Sequence, residues 1–230
     1  PASKLLIRQM TQKTLTGLQN KDNILPLPTE KYSKIAVVSL RNGQSDTFYN
    51  RFKKYFKADY YVFDFKNPLT KADDILDSLK NYDLVIAEIG GFSTRPGKAQ
   101  QIVDPKKNYT LEYGVTTYLQ HFMDRLTKEH ANTVLTVFGM PYVMDYMPAI
   151  KDAKAVLFSQ GDNTLARDLM AQAVCGAFDV DGKLPVNTKP YPMNTSVDIK
   201  GGIRFKFTIG EEVGINSNKL ERMVDSIIYN

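Results

Sequence analysis

Cysteine and histidine are scarce in this chain of 230 residues, which contains one Cys and two His. A single Cys excludes a disulfide framework within the chain, and Cys175 lies in an apolar helical pattern, where a buried free thiol is commonest. So few ligands make a His/Cys metal cluster implausible, and the spacing of His121 and His130 does not fit a zinc-protease motif. Both positions are typical of solvent-exposed helix residues, so we expect neither a metal site nor a histidine base.

Long apolar runs and charge of one sign are also missing. No run approaches the ~20 apolar residues that a membrane helix needs, and residues 1–10 lack the apolar stretch and cleavage site of a signal peptide. The 30 Lys and Arg and 25 Asp and Glu give a net charge of +5, but they are interleaved along the chain, which argues against nucleic-acid binding. With 43% hydrophobic and 24% charged residues, the chain is predicted to be soluble and globular, with no membrane span.

Short apolar runs rich in β-branched residues recur along the chain. They lie at 34–40, 83–89, 133–138 and 153–158, and their nearly continuous hydrophobicity predicts strands buried on both faces of a parallel sheet. A fifth run at 60–65 is more aromatic and predicts a strand nearer an edge.

Helical periodicity separates these runs. The apolar stripes cover residues 48–56, 75–79, 109–129 and 165–177, with Ser45 and Asp46 as candidate N-caps of the first. This alternation predicts an α/β fold, a three-layer α/β/α sandwich with a mainly parallel, flavodoxin-like sheet.

The two ends of the chain depart from the alternation. Residues 1–19 predict a lead-in helix, and the Pro-rich residues 184–193 predict an extended linker. The last thirty residues predict a strand at 205–209 and a helix at about 217–228.

Two loops were considered as nucleotide sites. The loop GGFSTRPGKAQQ at 90–101 follows the third predicted strand and so lies at the carboxyl edge of the sheet, where doubly wound folds bind ligands. However, Gly91 is one residue too far from Gly97 and Lys98 for a P-loop, and Ala99 replaces the magnesium-binding hydroxyl. The loop SLRNGQSD after the first strand lacks a dinucleotide turn, so we expect no cofactor.

Four charged residues are candidates for substrate contact. Glu88 is the only acid inside a predicted core strand, which requires a partner unless it faces solvent near the sheet edge. Asp104 is the only acid in the loop after that strand, and Arg95 and Lys98 can meet a sugar hydroxyl or a carboxylate. Solvated surface charge is the alternative for all of them. Neither G-x-S-x-G nor S-x-x-K occurs, and sequence spacing assigns no carboxylate pair, so no catalytic residue is assigned.

Four segments occur in the order found in one enzyme family. They are GLQNKDNILPL (17–27) leading into the first strand, NYDLVIAEIGG (81–91), VFGMPYVMDYM (137–147) and FDVDGKLPVN (178–187). Together they resemble the C-terminal domain of glycoside hydrolase family 3, with its Leu-Pro-Leu, Gly-Asn-Pro-Tyr and Gly-Lys-Leu-Pro elements. Met140 stands in place of the Asn, and the resemblance covers about residues 3–190.

The resemblance implies that a (β/α)8 barrel precedes this domain and carries the aspartate nucleophile. In the β-glucosidase branch the acid/base glutamate comes from the second domain, whereas the β-N-acetylhexosaminidase branch uses a His-Asp pair on a barrel loop. The loop at 90–107 contains no Glu, which favours the second branch. A third possibility is that Glu88 or Asp104 reaches the barrel's site as the acid.

The tail FKFTIGEEVGINSNKLERMVDSII at 205–228 resembles the opening of serine β-lactamase-like domains. We therefore interpret 1–30 as a lead-in from the barrel, 31–190 as the family 3 domain, and 191–230 as a linker and the start of a β-lactamase-like domain. The resemblance implies a bacterial glycan-processing protein that is exported, although this chain shows no targeting signal. The isolated domain is expected to be an inactive scaffold. The alternative is a flavodoxin-like module that binds a small ligand or a protein partner.

Overall fold

The computed structural model describes residues 2–41, 46–64 and 67–228. Within them six strands and six α-helices are found. The strands are β1 (Thr16–Asn20), β2 (Ile35–Arg41), β3 (Asp59–Asp64), β4 (Leu84–Ile89), β5 (Thr133–Phe138) and β6 (Ala155–Ser159); the helices are α1 (Ala2–Lys13), α2 (Thr47–Phe52), α3 (Leu69–Leu79), α4 (Thr117–Glu129), α5 (Thr164–Val174) and α6 (Ser217–Ile228).

All six strands form one sheet in the order β1-β6-β5-β4-β2-β3. Strands β2 to β6 are parallel, and β1 pairs antiparallel with β6. Counting only the parallel strands along the chain, the order is second, first, third, fourth, fifth, which is the flavodoxin-like arrangement. The predicted mainly parallel sheet is confirmed, and the aromatic strand β3 lies at an edge as predicted.

Helices cover both faces of the sheet, because consecutive strand residues point in opposite directions. On β2, Val37 packs with the α2 and α5 side chains, whereas Val38 packs with those of α3 and α4. Both residues are fully buried. The predicted three-layer sandwich is therefore confirmed, with one apolar core on each side of the sheet.

Two predicted helices are shorter than their apolar stripes. The predicted helix at 1–19 ends at Lys13, and Thr16–Asn20 form strand β1 instead. The predicted helix at 109–129 begins only at Thr117, where the Thr116 hydroxyl accepts a hydrogen bond from the Leu119 amide at 3.2 Å. This cap fixes the helix start, so the apolar residues before it pack from a loop.

The helix at 48–56 has less capping than predicted. Ser45 lies outside the described residues, and Asp46 precedes α2 without a capping hydrogen bond from its side chain. Helix α2 ends at Phe52, and a turn carries the chain onward.

The C-terminal quarter packs on the sandwich in extended loops. Within the stretch predicted as a linker, Leu184 and Tyr191 are buried. On either side of that stretch, Val180 and Ile199 pair through two backbone hydrogen bonds. The predicted strand at 205–209 is wrong, because this segment forms no ladder in the described part of the chain. The predicted helix that follows is confirmed as α6. No helix of the described residues is long and apolar enough to cross a bilayer.

Candidate functional site

A pocket of about 250 Å³ opens at the carboxyl edge of the parallel sheet. Its walls come from the loops after three neighbouring strands, β4, β5 and β6. The lining residues are Gly91, Phe92, Ser93, Thr94, Gly139, Met140, Gln160 and Asp162. Ligands of doubly wound folds bind at this edge, and the volume suits one small polar molecule.

Glu88 lies directly beneath this pocket and has no solvent exposure. Glu88 lies on the same face of β4 as Leu84 and Ile86, so its side chain points toward the α5 side of the sheet. Its carboxylate forms a salt bridge with Arg167 of α5 and accepts a hydrogen bond from the Ser39 hydroxyl at 3.0 Å. The alternative that Glu88 faces solvent at the sheet edge is wrong, because β4 is a central strand.

Asp162 joins the same charges to the pocket wall. One carboxylate oxygen accepts from Arg167 Nε at 2.8 Å and from Arg167 Nη2 at 2.5 Å. The other oxygen accepts from the Gly91 amide at 2.7 Å. Glu88, Arg167 and Asp162 are called the buried charge cluster below, because their side chains are 0%, 1% and 16% exposed.

The buried charge cluster contains two carboxylates and one guanidinium. Because breaking a buried ion pair is costly, removing the shared guanidinium would weaken the binding of both carboxylates at once. The Arg167 guanidinium also lies 4.8 Å from the centroid of the Phe138 ring, which covers its face. This arrangement holds the loops after β4 and β6 together.

The sequence carries a signal for the burial of Arg167. Arg167 lies between Ala166 and Met170, in the apolar stripe of α5, where a charged residue is unexpected. A charge in a core helix stripe and an acid in a core strand predict one another as partners. Asp162 carried no comparable signal, because a loop aspartate before a helix has many ordinary roles.

The other predicted contact residues lie on the loop after β4. Arg95 and Lys98 are exposed. Asp104 is half-buried, and its carboxylate accepts a hydrogen bond from the Lys106 amide at 2.9 Å, which shapes the turn there. The structure thus separates Glu88, beneath the pocket, from the exposed cations of the loop.

The histidines and the cysteine are not among the residues that line this pocket. His121 is partly exposed and lies 3.5 Å from an Asp73 carboxylate oxygen. His130 is buried, contrary to prediction, with its Nε2 2.6 Å from the Tyr82 carbonyl oxygen. Burial raises the pKa of the Cys175 thiol well above its ordinary value, which disfavours the reactive thiolate.

A second group of charges holds the tail against the helices. Arg8, Arg51, Asp168, Lys206 and Glu212 are called the tail cluster below. Arg8 Nε donates to Glu212 at 3.1 Å, Lys206 forms a salt bridge with Glu212, and Arg51 Nε donates to Asp168 at 2.5 Å. Through Glu212, α1 is connected to Lys206 in the segment that was predicted as a strand, and a salt bridge of 3.9 Å between Arg8 and Asp168 links them to α2 and α5.

Comparison with known proteins identifies the fold. No protein-family model matches the chain, and no curated protein matches its sequence. Among solved structures, a fungal multi-domain GH3 β-N-acetylglucosaminidase matches with a TM-score of 0.58 and 15% identity, over 86% of this chain and 20% of that protein. The chain shares its fold with part of a family 3 glycoside hydrolase.

Two further structures support this assignment of the fold. A family 3 β-N-acetylglucosaminidase from Paenibacillus sp. matches with a TM-score of 0.57 and 12% identity, over 85% of this chain and 34% of that protein. A β-glucosidase from Listeria innocua matches with a TM-score of 0.58 and 18% identity, over 79% of this chain and 26% of that protein. The chain therefore spans between a fifth and about a third of the proteins that it matches.

Proposed function

We propose that this chain is the non-catalytic α/β domain of a family 3 glycoside hydrolase of the β-N-acetylhexosaminidase type. In this proposal the carboxyl edge of the sheet packs beside a catalytic barrel and supports its glycan site. The observation that carries it is the shared fold over 79–86% of the chain with parts of larger glycosidases. The four sequence segments that occur in the family order support the same conclusion independently.

The chemistry of the pocket edge supports a scaffold rather than an independent catalyst. Hydrolysis of a glycosidic bond uses two carboxyl groups, or an equivalent pair, that reach the anomeric centre from opposite sides. Here the carboxylates of Glu88 and Asp162 both bond to Arg167. The loop at 90–107 contains no other acid than Asp104, whose carboxylate caps a turn.

The exposed loop after β4 is the proposed contact with the glycan. Arg95 and Lys98 are exposed on the same loop that forms the pocket wall. A guanidinium and an ammonium group donate hydrogen bonds to sugar hydroxyl and carbonyl oxygens. The role proposed for them is binding, with the bond-breaking groups supplied by the barrel.

The test compares this chain with a longer protein that includes the preceding barrel. Both are assayed on chromogenic β-N-acetylglucosaminide and β-glucoside. Activity in the longer protein alone is the expected result, with preference for the N-acetylglucosaminide. Hydrolysis by the isolated chain, surviving repurification and abolished by a point change in it, would overturn the proposal.

A paired substitution tests the loop contact in the longer protein. Replacing Arg95 and Lys98 by Ala should raise KM on the order of a hundredfold, since the two lost charged hydrogen bonds cost about 1.5 kcal/mol each. The matched control replaces Lys106 and Lys107 by Ala, which removes the same charge from exposed positions of the following turn. An equal KM change in both variants would contradict a specific contact.

The flanking units are part of the same proposal. We infer that residues 191–230 lead into a β-lactamase-like unit and that the full protein is exported. The apolar residues Leu220, Met223 and Ile227 of α6 are exposed in this chain, as expected for a helix that packs in a larger unit. In a protein extended past residue 230, slower amide exchange in α6 is the expected result, and unchanged exchange would count against this assignment.

A further inference from the structure

We propose that Asp162 is a positioning residue, which fixes the pocket wall at Gly91–Thr94 so that it can bind a glycan. The proposal rests on the proposed function for its substrate, a β-N-acetylglucosaminide. It assigns Asp162 no part in bond breaking. Its effect passes through the Gly91 amide and through Arg167.

The hydrogen bonds of Asp162 connect two loops through opposite ends of one carboxylate. Oδ1 accepts from Arg167 Nε and Nη2, and Oδ2 accepts from the Gly91 amide at 2.7 Å. A carboxylate accepts at both oxygens, whereas an Asn amide accepts at one and donates at the other end. Asn at this position can therefore satisfy either Arg167 or Gly91, but not both.

The loop fits against these charges without spare room. A Cβ atom added at Gly90 would lie 2.4 Å from Arg167 Nη2 and 2.8 Å from Asp162 Oδ2. Gly91 has a φ of 81°, which side-chain-bearing residues rarely adopt. The loop therefore leaves β4 in one conformation, set by close contact with the buried charge cluster.

The other end of the cluster is fixed in the sheet. Arg167 forms its salt bridge with Glu88 on central strand β4, and Ser39 on the neighbouring strand β2 donates to Glu88. Because Arg167 is 1% exposed and held from both sides, it cannot follow a loop that moves. Asp162 is thus supported by a rigid element while it faces the pocket.

Amide exchange in this chain tests the position of the loop directly. Asp162→Asn should increase the exchange rate of the Gly91 amide at least tenfold, measured by NMR at equal pH, because the single Asn oxygen is expected to face the buried Arg167 guanidinium and leave the Gly91 amide without an acceptor. The matched control is Ser39→Ala, which disturbs the same cluster at its sheet end and leaves the Gly91 hydrogen bond in place. A Gly91 rate that rises equally in both variants, or in neither, would overturn the proposal.

Kinetics in the longer protein with its barrel test the effect on binding. Asp162→Asn should raise KM for the chromogenic β-N-acetylglucosaminide about tenfold and leave kcat within twofold. Ser39→Ala should lower thermal stability and leave KM unchanged. An unchanged KM in Asp162→Asn, with a stability loss matching that of Ser39→Ala, would reduce Asp162 to a purely structural role and refute the proposal.

Gly90→Ala tests the position of the same pocket wall by a change within the loop itself. It should raise KM without changing a charge, and its combination with Asp162→Asn should raise KM by less than the product of the two effects. A KM increase equal to the full product of the two single effects would contradict the view that both residues act through the position of this loop. If the unaltered longer protein has no glycosidase activity, the proposed function fails, and the Gly91 exchange rate still decides whether Asp162 fixes the loop.

Discussion

The buried charge cluster and the tail cluster both join distant parts of the chain through ion pairs, but they differ in burial, with Glu88 and Arg167 0% and 1% exposed and Arg8 and Glu212 8% and 15% exposed. In the buried charge cluster one guanidinium serves two carboxylates, and water does not reach Glu88 or Arg167. In the tail cluster Glu212 accepts from three donors, Arg8, Lys206 and Thr208. The loss of one partner should therefore cost more beneath the pocket than at the tail, because the cost of breaking an ion pair rises with the burial of the charge that remains.

The largest expected effect comes from Arg167→Met. This change removes the guanidinium that Glu88 and Asp162 share and breaks both buried ion pairs, so the free energy of unfolding should fall by about 3–5 kcal/mol. Urea denaturation monitored by circular dichroism measures it. Because this loss approaches the whole stability of a typical domain, the double variant Arg167→Met with Glu88→Gln is measured as well. The double variant should regain part of the lost free energy of unfolding. A loss below about 1 kcal/mol, or no recovery in the double variant, would contradict the view that one guanidinium compensates both acids.

A change of intermediate size is expected for Arg204→Ala, which removes a tail anchor outside both clusters. The Arg204 guanidinium donates to the Leu27 and Cys175 carbonyl oxygens at 2.8 and 2.5 Å, and it stacks 4.5 Å from the Phe56 ring centroid. We expect a loss of about 2 kcal/mol, because bonds from a charged donor are lost together with the stacking.

Arg204→Lys is the matched control. An ammonium retains the charge but not the planar fork, so about half of the loss should remain. Equal stability of the Ala variant and the unaltered chain in urea would show that the tail is held by other contacts.

The smallest effect is expected for Glu212→Gln, and it should depend on pH. Burial alone would raise the pKa of Glu212, but hydrogen bonds from Lys206, Thr208 and Arg8, with the Lys206 charge, hold it below the ordinary 4.5. Because the folded pKa is the lower one, the stabilisation is complete above pH 4.5 and disappears as the pH falls through the folded value.

The unaltered chain should therefore exceed Glu212→Gln in stability by up to about 1 kcal/mol at neutral pH, and the two should converge in acid. Urea titrations at several pH values measure this difference. A gap that widens as the pH falls would reverse the assigned sign. A neutral-pH gap as large as that of Arg167→Met would remove the contrast between the two clusters.

The sheet was largely predictable because its strands carry local signals. The runs at 83–89 and 133–138 are apolar at about two thirds of their positions, and such runs are typical of strands that a parallel sheet buries on both faces. The edge position of β3 followed from its mixed aromatic and polar character. The sequence did not predict strand β1, because its five residues show no alternation of apolar and polar side chains. The strand forms because it pairs with β6, a contact that the local sequence does not reveal.

The tail shows how a correct pattern can lead to a wrong element. Phe205, Phe207 and Ile209 alternate as a strand would, but within the described residues this segment pairs with no strand. Phe207 instead packs against the ring of Tyr55 and the guanidinium of Arg51, while its backbone amide donates to the Gln172 side-chain oxygen. Alternation shows which side chains can share an apolar face, but a strand forms only where a neighbouring strand supplies backbone hydrogen-bond partners.

By itself, the sequence determined the sandwich and placed the loop after β4 at the carboxyl edge, because burial on two faces and helical periodicity are local properties of the chain. It also marked Glu88 as a charge that needs a partner. Only the tertiary structure decided which partner, since Glu88 and Arg167 lie 79 positions apart and meet because strand alternation and the stripe of α5 point at the same core. The same is true of Asp162, whose role depends on a backbone amide that the fold brings to it.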